Sequence, residues 1–259
     1  MKNRIFLLLL ACVLCCTMLF VSCGQVPAIA ISRAIDKTAA LDSYAAKMEM
    51  VISMITQGSG SSRLPMTIDM KVQNAQSEKP IFSADVYMKV SSFVGVEMVM
   101  YGDGEWVYAR AMGKEFKMRM ENADEEYDYT NDVSSMMQVL PELLFADVTY
   151  ESGENGGYTA TVDIPEATFK TVFADLVAQT AKRMTPNSVS ELKIKDAKVG
   201  IVVEDGYLED YVLQFTMDMV AGGKSILGDV EIKIAYQDPG QPVTVTPIEG
   251  CEAFPERKS

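Results

Sequence analysis

Ala46-Lys47-Met48-Glu49-Met50-Val51-Ile52-Ser53-Met54 places an apolar side chain at every second position, with mostly polar residues between. Successive side chains of an extended chain point to opposite faces, so this beat describes a strand with one apolar and one watered face. It returns in Met66-Thr67-Ile68-Asp69-Met70-Lys71-Val72 and in Ala84-Asp85-Val86-Tyr87-Met88-Lys89-Val90. It also marks Val96-Met98-Met100, Phe116-Met118-Met120 and Tyr158-Ala160-Val162-Ile164. Late in the chain come Val199-Ile201-Val203, Leu213-Phe215-Met217-Met219 and Val230-Ile232-Ile234-Tyr236. One-sided strands of this kind belong to antiparallel sheets.

The turn residues agree. Asp103-Gly104 and Asp205-Gly206 separate alternating runs and read as tight two-residue hairpins, because Asp-Gly accepts the positive φ such turns require. Asn155-Gly156-Gly157 and Ala221-Gly222-Gly223 mark two more, and residues 58–62 read as a flexible loop between the first two strands. Helices are few. Pro165 opens one over 165–184, with Phe169, Val172, Phe173, Leu176 and Val177 on one face. A second starts at Thr130 or Asn131, and a third covers 28–40 with Ile31 and Ile35 on one side. Residues 42–246 contain no repeat and no linker, which gives one antiparallel α+β domain.

About nine or ten strands at ~4.8 Å spacing make an apolar face nearly 45 Å across. Three helices, each ~10 Å wide, cover about 30 Å of it. The sheet is therefore expected to curl, to leave an apolar hollow, or both. Methionine is abundant, with 18 in the chain, and most fall on the inward side of strands. Its flexible, polarisable thioether suits irregular cores and varied apolar ligands alike. Met50, Met70, Met88, Met98, Met118, Phe215 and Met217 are the candidate lining of such a hollow.

The N-terminus supplies an address. Lys2 and Arg4 precede an uncharged run from Ile5 to Phe20 that leads into Val21-Ser22-Cys23-Gly24. A basic start, an apolar stretch and a small residue before cysteine resemble the lipobox of bacterial lipoproteins, with Phe20 where leucine is usual. The resemblance implies a signal peptide over 1–22, cleavage before Cys23 and lipid on its sulfur, including a palmitate-type acyl chain. Residues 23–27 then form a tether, 28–248 the domain and 249–259 a C-terminal tail. The expected location is the cell envelope, on the outer face of the cytoplasmic membrane, or periplasmic or outer-membrane in a diderm cell. The rival reading, an uncleaved spanning helix, wants about 20 apolar residues, and this run falls short.

The formal net charge is −13, and loss of Lys2 and Arg4 makes the mature chain more acidic still. That excludes nucleic acid, which needs basic stripes, and disfavours lying flat on anionic lipid. Histidine is absent, which removes the usual general base and the commonest zinc ligand. Beyond the anchor only Cys251 remains, so the mature chain has no internal disulfide, and a lone thiol there reads as inert.

The alternating strands with early and late helices resemble the LolA-like lipoprotein superfamily. That superfamily includes the periplasmic lipoprotein carrier, its outer-membrane receptor and mycobacterial lipid-binding lipoproteins. The local echoes are Leu41-Asp42-Ser43-Tyr44, Glu204-Asp205-Gly206-Tyr207-Leu208, and the stretch from Val230 to Tyr236 followed by Pro242-Val243-Thr244-Val245-Thr246-Pro247. The resemblance implies a half-open β-barrel lidded by about three helices, with acyl chains carried in the hollow.

Other chemistries find little support. Met48-x-Met50, Met98-x-Met100, Met118-x-Met120 and Met217-x-Met219 offer soft ligands for copper(I), but apolar strands generate the same spacing and no histidine assists. Glu121, Asp124, Glu125, Glu126, Asp128 and Asp132 lack the regular spacing of a calcium loop and read as a solvated loop. No Gly-x-Ser-x-Gly, phosphate loop or dinucleotide fingerprint occurs. The expectation is a non-enzymatic, membrane-anchored lipoprotein without metal or cofactor that binds a lipid or acyl chain. The alternative is a ligand-free interaction or sensor module that docks another envelope protein.

Overall fold

The computed structural model describes residues 25–58, 60–89, 94–120, 148–153, 157–167, 169, 189–221 and 223–257. One helix, α1 (Gln25–Ala39), leads into eleven strands. These are β1 (Ser43–Thr56), β2 (Gly60–Gln73), β3 (Ile81–Lys89), β4 (Gly95–Gly102), β5 (Trp106–Ala111) and β6 (Lys114–Arg119) in the first half. The second half holds β7 (Val148–Ser152), β8 (Tyr158–Ile164), β9 (Val189–Glu204), β10 (Tyr207–Ala221) and β11 (Lys224–Gln237). All join one antiparallel sheet in the order β6-β5-β4-β3-β2-β1-β11-β10-β9-β8-β7. The sheet is curved and unclosed, with β6 and β7 as its edges.

The fold class expected from period two therefore holds, with one more strand than the highest count. Of the three expected helices only the first stands among the described residues, and it begins three residues early, at Gln25. The helix around Thr130 lies outside the described residues, as do Cys23 and the signal peptide. Of the helix over 165–184 only the opening turn is described, where the Phe169 N–H donates to the Pro165 carbonyl at 2.9 Å. Phe169 is buried, with its ring 5.1 Å from that of Phe215.

The register explains the core. Apolar residues line up across the sheet in rungs, of which one runs Met98, Val86, Ile68, Met48, Ile234, Tyr211, Ile201 and Ala160. On the β8–β11 side this face is packed: Val162, Val199, Ile201, Leu208, Leu213 and Met219 are buried against Ala28, Ile31, Ala34 and Ile35 of α1. The helix rests chiefly on β10. Thr38 closes its end, its Oγ1 accepting the Leu208 N–H at 2.8 Å, so that helix and hairpin meet without an orphaned donor.

Two irregularities keep this face apolar. Asp196, with φ 52°, forms a bulge that returns both Ala197 and Ile194 to the core, although three positions separate them. A second register shift between Leu208 and Asp210 leaves Glu209 as the extra residue.

The turns are tighter than the sequence suggests in one place and looser in another. Residues 60–62 are not a loop: they pair with Met54, Ile55 and Thr56, so only residues 57–59 connect β1 to β2. Asp205-Gly206 is the expected two-residue turn, with φ 50° and 73°. Asp103-Gly104 opens a three-residue loop instead, because the Asp103 carboxylate accepts the Glu105 and Trp106 N–H groups at 2.8 Å each.

One buried group is unsatisfied. Tyr211 is 1% exposed, and its hydroxyl finds no hydrogen-bond partner among the described residues. An unmet buried hydroxyl costs about 1–3 kcal/mol. Tyr211→Phe is therefore expected to raise thermal stability, by roughly 2–4 °C per kcal/mol for a domain of this size. A lowered melting temperature would show that the hydroxyl has a partner after all.

Candidate functional site

Every predicted lining residue lies on the same face of the sheet. Met50 pairs across to Met66 and Met66 to Met88. Met98 pairs to Val86, and Met70 pairs to Ala84, which pairs to Met100. Met118 opposes Val107, Phe215 opposes Val230, and Met217 opposes Gly228.

Burial splits the set. Phe215 and Met217 are buried in the main core, and Met118 is buried near the β6 edge. Met50, Met70 and Met98 are only half-buried, and Met88 is 37% exposed. Together with Met66, Ile68, Val86 and Met100, also half-buried, they form an apolar shelf across β1–β4. The helix covers β10 and leaves this shelf to one side.

The opposite face is polar. Lys47 and Glu49 pair at 2.7 Å, Lys233 and Asp210 at 2.9 Å, and Gln214 donates to Glu231 at 2.7 Å. Two hollows open on or beside this face. One of about 360 Å³ is bordered by Asp69, Lys71, Asp85 and Arg110 with Thr246–249 of the C-terminal segment. The other, about 380 Å³, lies beside the β1–β2 turn, bordered by Ser53, Ile55, Arg63 and Leu227. Of the predicted lining residues only Met70 borders either hollow.

The C-terminal segment after β11 returns across this polar face. The Gln73 side chain donates to the Val243 carbonyl at 2.8 Å, and Arg110 donates to the Glu249 carbonyl at 3.3 Å. Ile248, Cys251 and Phe254 then build a second, small core with Tyr108. At the edge, Lys117 N–H donates to Pro255 and Arg257 N–H donates to Lys117, each at 2.9 Å. The stretch read as a tail from its sequence is thus bonded to the sheet through Arg257.

This second core has perturbed titrations. Burial pushes the Tyr108 hydroxyl up, helped by its hydrogen bond to Asp103, to about 12. Burial also works to raise Asp103, but the Trp106 and Glu105 amides and the Tyr108 hydroxyl together hold its carboxyl below the usual range. Cys251 is raised by burial first and by Glu252 next, which keeps it a thiol. Elsewhere a hydrogen bond with Glu204, then burial, raises the Glu209 carboxyl in its bulge. These groups are explained by packing and turn geometry, and no group of three or more acidic, histidine or cysteine side chains among the described residues is placed to hold a metal ion.

An unclosed antiparallel sheet with one apolar and one charged face, and a helix laid over part of the apolar one, defines the class. The chain belongs to the DUF6612 family, a family of unknown function, whose profile matches residues 29–241. No curated protein matches the sequence. Among solved structures it is similar to a β-barrel-like protein of the domain of unknown function DUF1849 from Brucella abortus. That likeness has 10% identity and a TM-score of 0.21, over 75% of this chain and 98% of that one.

Proposed function

We propose that this chain is a membrane-anchored envelope lipoprotein that holds an apolar ligand, an acyl chain or lipid, against the methionine shelf of its curved sheet, in the manner of the LolA-like superfamily. The observation that carries this reading is the shelf itself: Met50, Met66, Met88 and Met98 lie in neighbouring rungs and remain half-buried or exposed. A monomer gains nothing by leaving such a surface in water, and flexible thioethers adapt to a chain-like ligand. The anchor rests on the lipobox at Cys23. The role is binding, not catalysis.

Native mass spectrometry on the chain from residue 24 onward, purified without detergent, tests the proposal. Acyl species that leave only on denaturation, and appear in an organic extract, are the expected result. A clean apo mass with no uptake of added lipid would reject it. A ligand-free docking module is then the better reading, and one observation favours it. Glu78, Glu105, Glu204, Asp205 and Glu209 crowd one end of the sheet, a surface suited to a basic envelope partner captured in a salt-sensitive way.

A further inference from the structure

The ends of the sheet differ in charge. The antiparallel register puts the β1–β2, β3–β4, β5–β6 and β10–β11 connections at one end, and the β2–β3, β4–β5, β7–β8 and β9–β10 connections at the other. Arg63, Lys89, Lys114 and Lys224 stand exposed at or close to the turns of the first end. Acids stand just behind them: Glu115, bonded to Arg110 at 2.8 Å, Glu97 opposite Tyr87, Glu191 opposite Val220, Asp218 opposite Leu227, and Asp229, which borders the same hollow as Arg63. The second end holds Asp42, Glu78, Glu105, Glu204, Asp205 and Glu209, with Lys37, Lys79 and Arg119 as its cations.

Five of the eight large exposed apolar side chains among the described residues stand at the first, basic end. Met112 is 76% exposed, Ile55 59%, Val94 51%, Leu227 44% and Met88 37%, and all five belong to the basic end. Among the described residues no large exposed apolar side chain belongs to the connections of the acidic end. The N-terminus points the same way. Helix α1 finishes at the acidic end, where Thr38 accepts from Leu208 and Lys37 lies over the Tyr207 ring. It packs on β10, which leads from that end toward the basic one, so its first residues lie away from the acidic end.

From this segregation we infer that the basic, apolar end is a membrane-docking rim. It seats on anionic phospholipid, with Met112, Ile55, Val94 and Leu227 entering the interface and the lysines meeting headgroup phosphates. The net charge of −13 is no obstacle. A strand as long as β1 spans ~45 Å, whereas fields at physiological salt decay over about 8 Å. The lipid therefore meets the rim's cations and not the carboxylates at the far end. The inference does not depend on a ligand at the shelf.

Tryptophan fluorescence on the full chain, reconstituted in vesicles through its own N-terminus, tests this orientation. Trp106, the only tryptophan, sits at the acidic end as a built-in control. In phosphatidylglycerol vesicles with brominated acyl chains, Met112→Trp in a Trp106→Phe background should lose emission severalfold, whereas native Trp106 keeps its emission. Brominated phosphatidylcholine should quench neither. Each of Lys89→Gln, Lys114→Gln and Lys224→Gln should lower the docked-to-free ratio roughly fivefold, as expected for one cation at an anionic surface. Leu227→Trp repeats the measurement should Met112→Trp perturb its turn. Adding Met98→Asp leaves the quenching intact, which separates rim contact from lipid bound at the shelf. An unquenched rim tryptophan, equal quenching in both lipids, or quenched Trp106 would overturn the proposal.

Discussion

Met88→Asp and Met98→Asp should each abolish retention of the apolar ligand, while Glu97→Gln leaves it unchanged. Met88 opposes Met66 and Val96, and Met98 opposes Val86 and Ala111, so the first carboxylate would project from the outer rung of the shelf and the second from its middle. A ligand lying there would strip water from an ionised group that has no partner in either strand. Even about 3 kcal/mol of that penalty is more than a hundredfold in affinity. Glu97 is a neighbour in sequence but faces the other way, opposite Tyr87 on the polar side. Because Met88 is already 37% exposed in the free protein, the Met88→Asp chain should still fold. Bound acyl species per protein, read beside a thermal melt of each variant, decide the matter. Equal retention in all three would remove the shelf from the mechanism.

The face assignment behind that prediction was legible because it needs only parity. Once Met48 and Met50 are inward, ladder pairing carries inward identity to Met66, Met88 and Met98, and one slipped residue would have exposed the whole set. Parity says nothing about what covers a face. The sequence therefore could not tell Met217, which is packed in the core, from Met88, which is open, although both obey the same alternation. The bulge at Asp196 was hidden for a related reason: period two breaks between Ala197 and Ile194, and only the left-handed backbone of one residue restores it. Met112-Gly113 likewise forms a turn with positive φ at both residues, yet methionine is no turn signal.

The charge asymmetry needed topology as well. Lys89, Lys114 and Lys224 are scattered along the chain, and no local window gathers them. Antiparallel pairing brings every second connection to one end, so residues that flank alternate turns become neighbours. A net charge read from composition averages over that separation, which is why it argued against anionic lipid when one rim of the sheet is suited to it.

Phe254→Ala should release the C-terminal segment from the polar face and expose Cys251. Phe254 is 4% exposed and meets Tyr108 edge-on at 6.4 Å, with the Arg110 guanidinium 5.5 Å from its ring. Truncating a buried phenylalanine costs about 3–5 kcal/mol. What remains of the attachment is Ile248 and Cys251 against Tyr108, with single bonds near solvent such as those to Val243, Glu249 and Pro255. The sheet does not need the segment for its ladders, except at β6, where Lys117 pairs with Glu256 and the open edge is thereby blunted. The loss should therefore fall on local opening of the segment and leave the melting of the main core nearly unchanged. In the chain from residue 24 onward Cys251 is the only cysteine, so a thiol reagent reports that opening directly. Its labelling rate should rise roughly a hundredfold or more, the kinetic equivalent of about 3 kcal/mol. Unchanged labelling would mean that the polar contacts hold the segment without Phe254. A matching drop in global stability would mean that segment and sheet unfold as one unit, and β6 would then owe its place to the strap.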